Sequence, residues 1–166
     1  MRGIIHNAAR EMSKEDVETF LQQAEVVHVA TTGKDGYPYV IPLVYVYEGG
    51  PKFYIHTGNL RESHFEQNIK ENPRVCIEVE QMGDVHPGKR YACNSALVYT
   101  SVVAFGKIHQ VNEEDKKVWF FDRLWGKYGD PNWKFENEGY PAIGKINLYE
   151  IDLETVTGKH SEGKKH

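Results

Sequence analysis

Residues 39–47 read Tyr39-Val40-Ile41-Pro42-Leu43-Val44-Tyr45-Val46-Tyr47, a β-branched and aromatic run long enough for a strand and interrupted by one proline. Pro42 has no N–H to give a ladder, so it predicts an edge, a bulge or the point where the strand leaves its neighbour. A strand-like run over 26–31 and the turn Gly33-Lys34-Asp35-Gly36 precede it, and the pair reads as a hairpin. Glu48-Gly49-Gly50-Pro51 then turns the chain into a third strand, Phe53-Tyr54-Ile55-His56. Three successive strands joined by glycine turns point to an antiparallel β fold.

Upstream, Ser13-Lys14-Glu15-Asp16 has the form of a helix start, with Ser13 as cap, and Val17, Phe20, Leu21 and Ala24 follow at helical spacing. Downstream, a short helix carries Phe65 and Ile69 on one face and ends at Asn72-Pro73. Val75, Ile77 and Val79 alternate with polar residues as in a half-buried strand. Residues 82–94 read as a loop and 97–111 as the longest strand, with Gly106 as a bend or close-approach point. Asn112 is placed to cap a helix reaching Tyr128, with Val118, Phe121, Trp125 and Tyr128 on one side. The 129–144 segment, with Pro131, Gly139 and Pro141, reads as irregular. A last strand over 146–153 is followed by a charged tail, expected to be loose from Gly158. The expectation is a mainly β domain of six strands and about three peripheral helices, closed as an antiparallel barrel. No strand–helix–strand alternation runs through the chain to support a doubly wound sheet.

Composition bounds the function. At 166 residues the chain fits one domain, and a formal charge of −4 gives no basic footprint for nucleic acid. No apolar run approaches the roughly eighteen residues of a membrane span, and residues 1–6 lack a signal-peptide core, so a cytoplasmic location is expected. Cys76 and Cys93 are the two cysteines and form no Cys-x-x-Cys pair. Ten Tyr, seven Phe and three Trp are many for this length, and aromatics suit both barrel strands and the walls of a site for a planar ligand.

The stretch His56-Thr57-Gly58-Asn59-Leu60-Arg61-Glu62-Ser63-His64 carries the most chemistry. A strand ends in a hydroxyl, and a glycine-containing loop brings Arg61, Ser63 and His64 to a helix start. Helix N-termini offer free N–H groups and partial positive charge to a phosphate. Thr57 and Ser63 add hydroxyls and Arg61 or His64 adds charge. The same residues also fit a plain helix cap, with Ser63 bonding its own backbone and Arg61 solvated.

His56-Thr57, the Ser63-His64 pair and Asn72-Pro73-Arg74-Val75-Cys76, in that order, resemble the FMN-binding split-barrel superfamily of pyridoxamine 5′-phosphate oxidase. Tyr99-Thr100-Ser101-Val102-Val103-Ala104-Phe105-Gly106-Lys107 is similar to a second family landmark. The Gly36-Tyr37-Pro38-Tyr39-Val40-Ile41-Pro42-Leu43 stretch and residues 149–159 look more like the branch named for 5-nitroimidazole resistance. The resemblance spans about residues 10–159. It implies a split barrel over 1–159, a tail at 160–166, and FMN held between the subunits of a homodimer. By the same resemblance, Thr57 and Ser63 match hydroxyls near the phosphate. Tyr39, Val40, Ile41 and Pro42 match a strand lying along the flavin ring. Thr100 and Ser101 match a contact from the partner subunit. His64 and Phe65 stand where the oxidase has arginine and lysine, so two fixed cations are lost, and Arg61 is the available substitute. This departure disfavours vitamin B6 oxidase chemistry.

His28, His56, His64, His86 and His109 are scattered, without the spacing of a closed zinc site, and no metal is expected. His56 is open to two readings: a packed barrel histidine, or, as the resemblance implies, a catalytic group facing the flavin or substrate. Cys93 reads as a small filler before a reactive thiol or haem ligand. Trp119 and Trp125 are expected to pack and Trp133 to line a pocket. The functional expectation is an oxidoreductase passing electrons from FMN to a small-molecule acceptor. The alternatives are a flavin-storing or sensing module, or a haem protein on the same fold.

Overall fold

In the computed structural model, which describes residues 3–59, 61–137 and 139–163, helix α1 (Lys14–Gln23) precedes strands β1 (Val27–Thr32), β2 (Pro38–Leu43), β3 (Tyr45–Val46) and β4 (Lys52–Gly58). Helix α2 (His64–Glu71) leads into the long strands β5 (Arg74–His86) and β6 (Ala96–Val111), then helix α3 (Glu114–Tyr128) and strand β7 (Ile146–Ser161). The strands form one antiparallel sheet in the order β2-β1-β5-β6-β7-β4-β3.

There are seven strands rather than the expected six, because the run opening at residue 38 changes partner at Val44. Its first part pairs with β1, ending at Val27↔Leu43, and its second with β4, starting at Tyr45↔Ile55. These are the two outermost strands of the sheet. The barrel is therefore split rather than closed, with Val44 crossing the gap between its edges. Pro42 pairs opposite His28, one residue before that ladder ends, so the proline marks the place where the strand leaves its neighbour.

Alternate residues of each strand fill the barrel. Val27, Val29, Val75, Ile77, Val79, Phe53 and Ile55 are all 4% exposed or less, and burying each such side chain contributes about 1.5–3 kcal/mol. Val17 and Leu21 of α1 and Phe65 of α2 join this core. The Ser13 hydroxyl caps α1 by accepting from the Asp16 N–H at 3.1 Å, as the sequence predicts. A second core lies between the sheet and α3, where Phe120 and Leu124 meet Val46, Tyr54, Val111 and Leu148.

Three boundaries and one helix face differ from expectation. Glu113, not Asn112, occupies the N-cap of α3, with no side-chain cap bond. That helix buries Phe120 and Leu124, leaving Val118 38% and Trp125 41% exposed. Its aromatic content gives it two apolar stripes, and contact with β3 and β4 selects between them. β5 extends to His86 through an irregularity between Met82 and Val85, which absorbs part of the expected loop. β7 continues to Ser161 because its ladder with β6 persists through Gly158↔Val102 and Ser161↔Tyr99. The tail is thus strand as far as Ser161, and residues 164–166 lie outside the described residues. No described helix is long and apolar enough to cross a membrane.

Candidate functional site

The turn between β4 and α2 is organised by a carboxylate. Glu66, the third residue of α2 and 5% exposed, forms a capping box with Ser63. Its Oε2 accepts from the Ser63 N–H at 2.9 Å, and its own N–H donates to the Ser63 hydroxyl at 3.2 Å. Oε1 accepts from the Asn147 side chain at 2.6 Å and from the Thr57 and Tyr149 hydroxyls at 3.2 Å each. Burial pushes the Glu66 carboxyl up, but these bonds outweigh it and hold it below its ordinary value. The turn is held a second time by Asn59. Its N–H donates to the Lys145 carbonyl at 3.1 Å and its side chain to the Gly144 carbonyl at 2.7 Å.

This arrangement sorts the expected phosphate ligands. Thr57 donates inward to Glu66. Ser63 is a helix cap, as its plain reading requires, yet its oxygen only accepts there, which leaves the hydroxyl hydrogen to donate. Arg61, Ser63 and His64 are all exposed, and Arg61 has no ion-pair partner among the described residues. The His64 ring stacks on Tyr39, centroids 4.5 Å apart and planes 25° from parallel. That contact joins the start of α2 to β2. Tyr39 and Ile41 pack against the core, while Val40 is 52% exposed, and β2 pairs on one side only.

His56 and Thr57 are neighbours in sequence but lie on opposite faces of β4. Thr57 meets Glu66, whereas the His56 ring packs under α3, 5.3 Å from Phe120 and 5.6 Å from Phe121 between centroids. Burial lowers the His56 pKa, and its Nδ1 is buried without a hydrogen-bond partner among the described residues. The chain therefore holds a neutral, packed imidazole here, separated by the sheet from the 61–64 turn. Thr100 and Ser101 also divide between faces, and they pair with His160 and Lys159 at the far end of β7 from Asn147. Nearly the whole length of β7 separates them from Glu66 within one chain. On the outer face, Val40, Ala30, Cys76 and Phe105 are register neighbours across β2, β1, β5 and β6.

Sequence reading missed Glu66, although Ser63-x-x-Glu66 is the capping-box pattern and would have found it. It also missed the acids beside His109. Among the described residues, His109, Glu150 and Asp152 are close enough to share an ion. The Lys52 ammonium bonds both carboxylates and holds the Asp152 carboxyl below its ordinary value, so the group reads as a salt-bridge network. Of the tryptophans, Trp119 packs edge-on to Tyr54 at 4.9 Å. Trp125, not Trp133, lines a cavity, and Trp133 stands edge-on beside it at 5.9 Å. Cys93 is exposed.

A family model described as pyridoxamine 5′-phosphate oxidase matches residues 13–160. The chain belongs to this family. No curated protein matches the sequence. Among solved structures similar to this family member is a candidate 5-nitroimidazole antibiotic resistance protein from Bacteroides thetaiotaomicron VPI-5482. It is 22% identical with a TM-score of 0.73, over 90% of this chain and 86% of that one. The flavocytochrome Anf3 from Azotobacter vinelandii is 17% identical with a TM-score of 0.78, over 96% and 73% of the two chains. An FAD and heme binding protein from Mycobacterium smegmatis is 19% identical with a TM-score of 0.75, over 93% and 74%. At these identities the likeness establishes the fold, and the split barrel is common to all.

Proposed function

We propose that this chain is a cytoplasmic, homodimeric flavoprotein that binds FMN and passes electrons to a small-molecule acceptor. One observation carries the reading. The 57–64 turn is braced from inside by Glu66, while Arg61, the Ser63 hydroxyl and His64 stand exposed beside the half-paired strand β2. Three donors at a helix start suit a terminal phosphate dianion. The open backbone of β2 at Tyr39, Val40, Ile41 and Pro42 suits the edge of a planar heterocycle. Thr100 and Ser101 are too distant to serve the same flavin, so they reach it from a second subunit. His56, on the other face, is not part of the anchor, and a catalytic role for it would be exercised from the α3 side.

Family membership and the flavin proteins among the structural neighbours support a flavin. FMN is favoured over FAD because one short turn supplies every anchoring group, a fit for a single phosphate terminus. The bound flavin would supply the redox chemistry. The chain's own part is to fix the phosphate, align the ring along β2 and keep water from it at the subunit contact.

The absorbance spectrum of the purified protein tells flavin from haem. Titration then tests the anchor. Arg61→Ala and Ser63→Ala are expected to weaken FMN binding by roughly tenfold or more, Arg61→Ala more severely, since each removes a charge-assisted hydrogen bond. Riboflavin, lacking the phosphate, is expected to bind all three proteins alike. Unchanged FMN affinity in both variants would place the phosphate elsewhere, and FAD binding as tightly as FMN would overturn the choice of cofactor. Turnover with a reduced nicotinamide and a panel of acceptors separates an enzyme from a flavin carrier.

A further inference from the structure

A cavity of about 720 Å³ opens between α3 and the described residues 135–137 and 139–146, within the usual size range of small-molecule sites. Its walls are aromatic. Phe121 and Tyr140 stack with centroids 5.1 Å apart, and Trp125 lies 6.3 Å from Phe135. Trp125 is 41% and Phe135 70% exposed. Large rings left in water on both sides of one cavity are unaccounted for by either core of the protein. The polar groups are few. Asp122 is the one charged side chain among the described lining residues, and Asn137 is the one amide. Asp122 Oδ1 accepts from the Tyr140 hydroxyl at 2.7 Å, and Oδ2 has no hydrogen-bond partner among the described residues. Burial first and Asp122 second push the Tyr140 pKa up to about 12, so the hydroxyl remains a donor to Asp122. No lysine or arginine is among the described lining residues, Lys117 is engaged with the Ile146 carbonyl at 3.2 Å, and Arg123, next to Asp122, pairs with Glu48 at 2.8 Å.

We infer that this cavity is a second ligand site, taking a planar aromatic compound that carries a positively charged or hydrogen-bond-donating substituent. The rings between Trp125 and Tyr140 provide stacking, and the Asp122 carboxylate provides the charge that a cationic substituent needs. An anionic group meets the Asp122 carboxylate here and finds no cation in the described lining, only the neutral Asn137 amide beside aromatic rings and a Tyr140 hydroxyl that Asp122 already holds. The site is therefore opposite in charge preference to the 61–64 turn, and its ligand is not another phosphate ester. The inference stands on the cavity alone and does not depend on flavin binding.

Calorimetric titration of the purified protein with three probes of one shape tests it: 2-naphthylmethylamine, 2-naphthylmethanol and 2-naphthoate. Saturable binding is expected in the order ammonium, alcohol, carboxylate, with about tenfold between the first two from the charge-assisted contact. Asp122→Asn is expected to bring the ammonium down to the alcohol's affinity while leaving the alcohol unchanged. Trp125→Ala is expected to weaken both. Phe135→Ala serves the same purpose if the tryptophan variant unfolds. Naphthoate binding as tightly as the amine, ammonium binding indifferent to these substitutions, or binding of neither the amine nor the alcohol, overturns the inference.

Discussion

Glu66 receives four hydrogen bonds from other groups while nearly out of water, and a neutral isostere cannot receive them all. In Glu66→Gln one of the two acceptor atoms becomes a donor, facing groups that are themselves donors. The expected cost is about 1–3 kcal/mol, read from urea unfolding at neutral pH. The pH dependence has a definite sign. Glu66 has its pKa lowered in the folded chain, so its stabilisation is complete above the carboxylate range and is lost as pH falls through the folded value. The gap between wild type and Glu66→Gln is expected to be full above about pH 5 and to narrow below about pH 4. A gap constant from neutral pH to pH 3 would show that the carboxylate's charge is not what holds the turn. At this scale the candidate turn was half legible. The helix start at Ser63, with Arg61 and His64 exposed beside it, could be found because hydroxyl and charged residues before a helix have a recognisable form. His56 was grouped with them by adjacency, although the two-residue period of a strand already places it opposite Thr57.

The long strands cross at Gly106, where the β6–β7 register shifts. A Cβ there would stand 2.3 Å from the Asp152 carbonyl oxygen, a backbone atom that cannot rotate aside. Gly106→Ala is therefore expected to destabilise by about 1–3 kcal/mol as an overpacked site, and melting of the variant checks this. Sequence reading flagged Gly106 as a close-approach point because a glycine interrupting a long apolar strand has few other uses. It lost the distal halves of β5 and β7, where residues 82–86 and 154–161 show no apolar alternation. Their strand character is imposed by pairing with β6, information that lies elsewhere in the chain. The burial face of α3 failed for the same reason: Phe120 and Phe121 satisfy the helical period equally, and only the packing partner decides.

For the whole molecule, the open question of scale is how many chains make one site. The outer face of the sheet aligns Val40, Ala30, Cys76 and Phe105, and the two groups of expected flavin ligands sit at opposite ends of β7. A dimer through this face would resolve both features, and its interface is expected to be of standard size or larger. Light scattering of the flavin-loaded protein at micromolar concentration is expected to give twice the chain mass. Val40→Asp, placing a charge on an already exposed position, is expected to shift that mass toward the monomer without unfolding it. A monomeric wild type with flavin bound would contradict the assembly.

The position of β7 between β6 and β4 also has a meaning in time. During synthesis the hairpins β1–β2 and β3–β4 are complete once residue 58 has emerged, and β6 can join β5 soon after residue 111. The strand that links these two halves is made after both of them. Until residues 146–161 leave the ribosome, β4 and β6 each carry a bare edge, the kind of surface that pairs with other chains. The nascent domain is thus most exposed to misassembly just before β7 emerges, and a message cut short ahead of residue 146 leaves it there permanently.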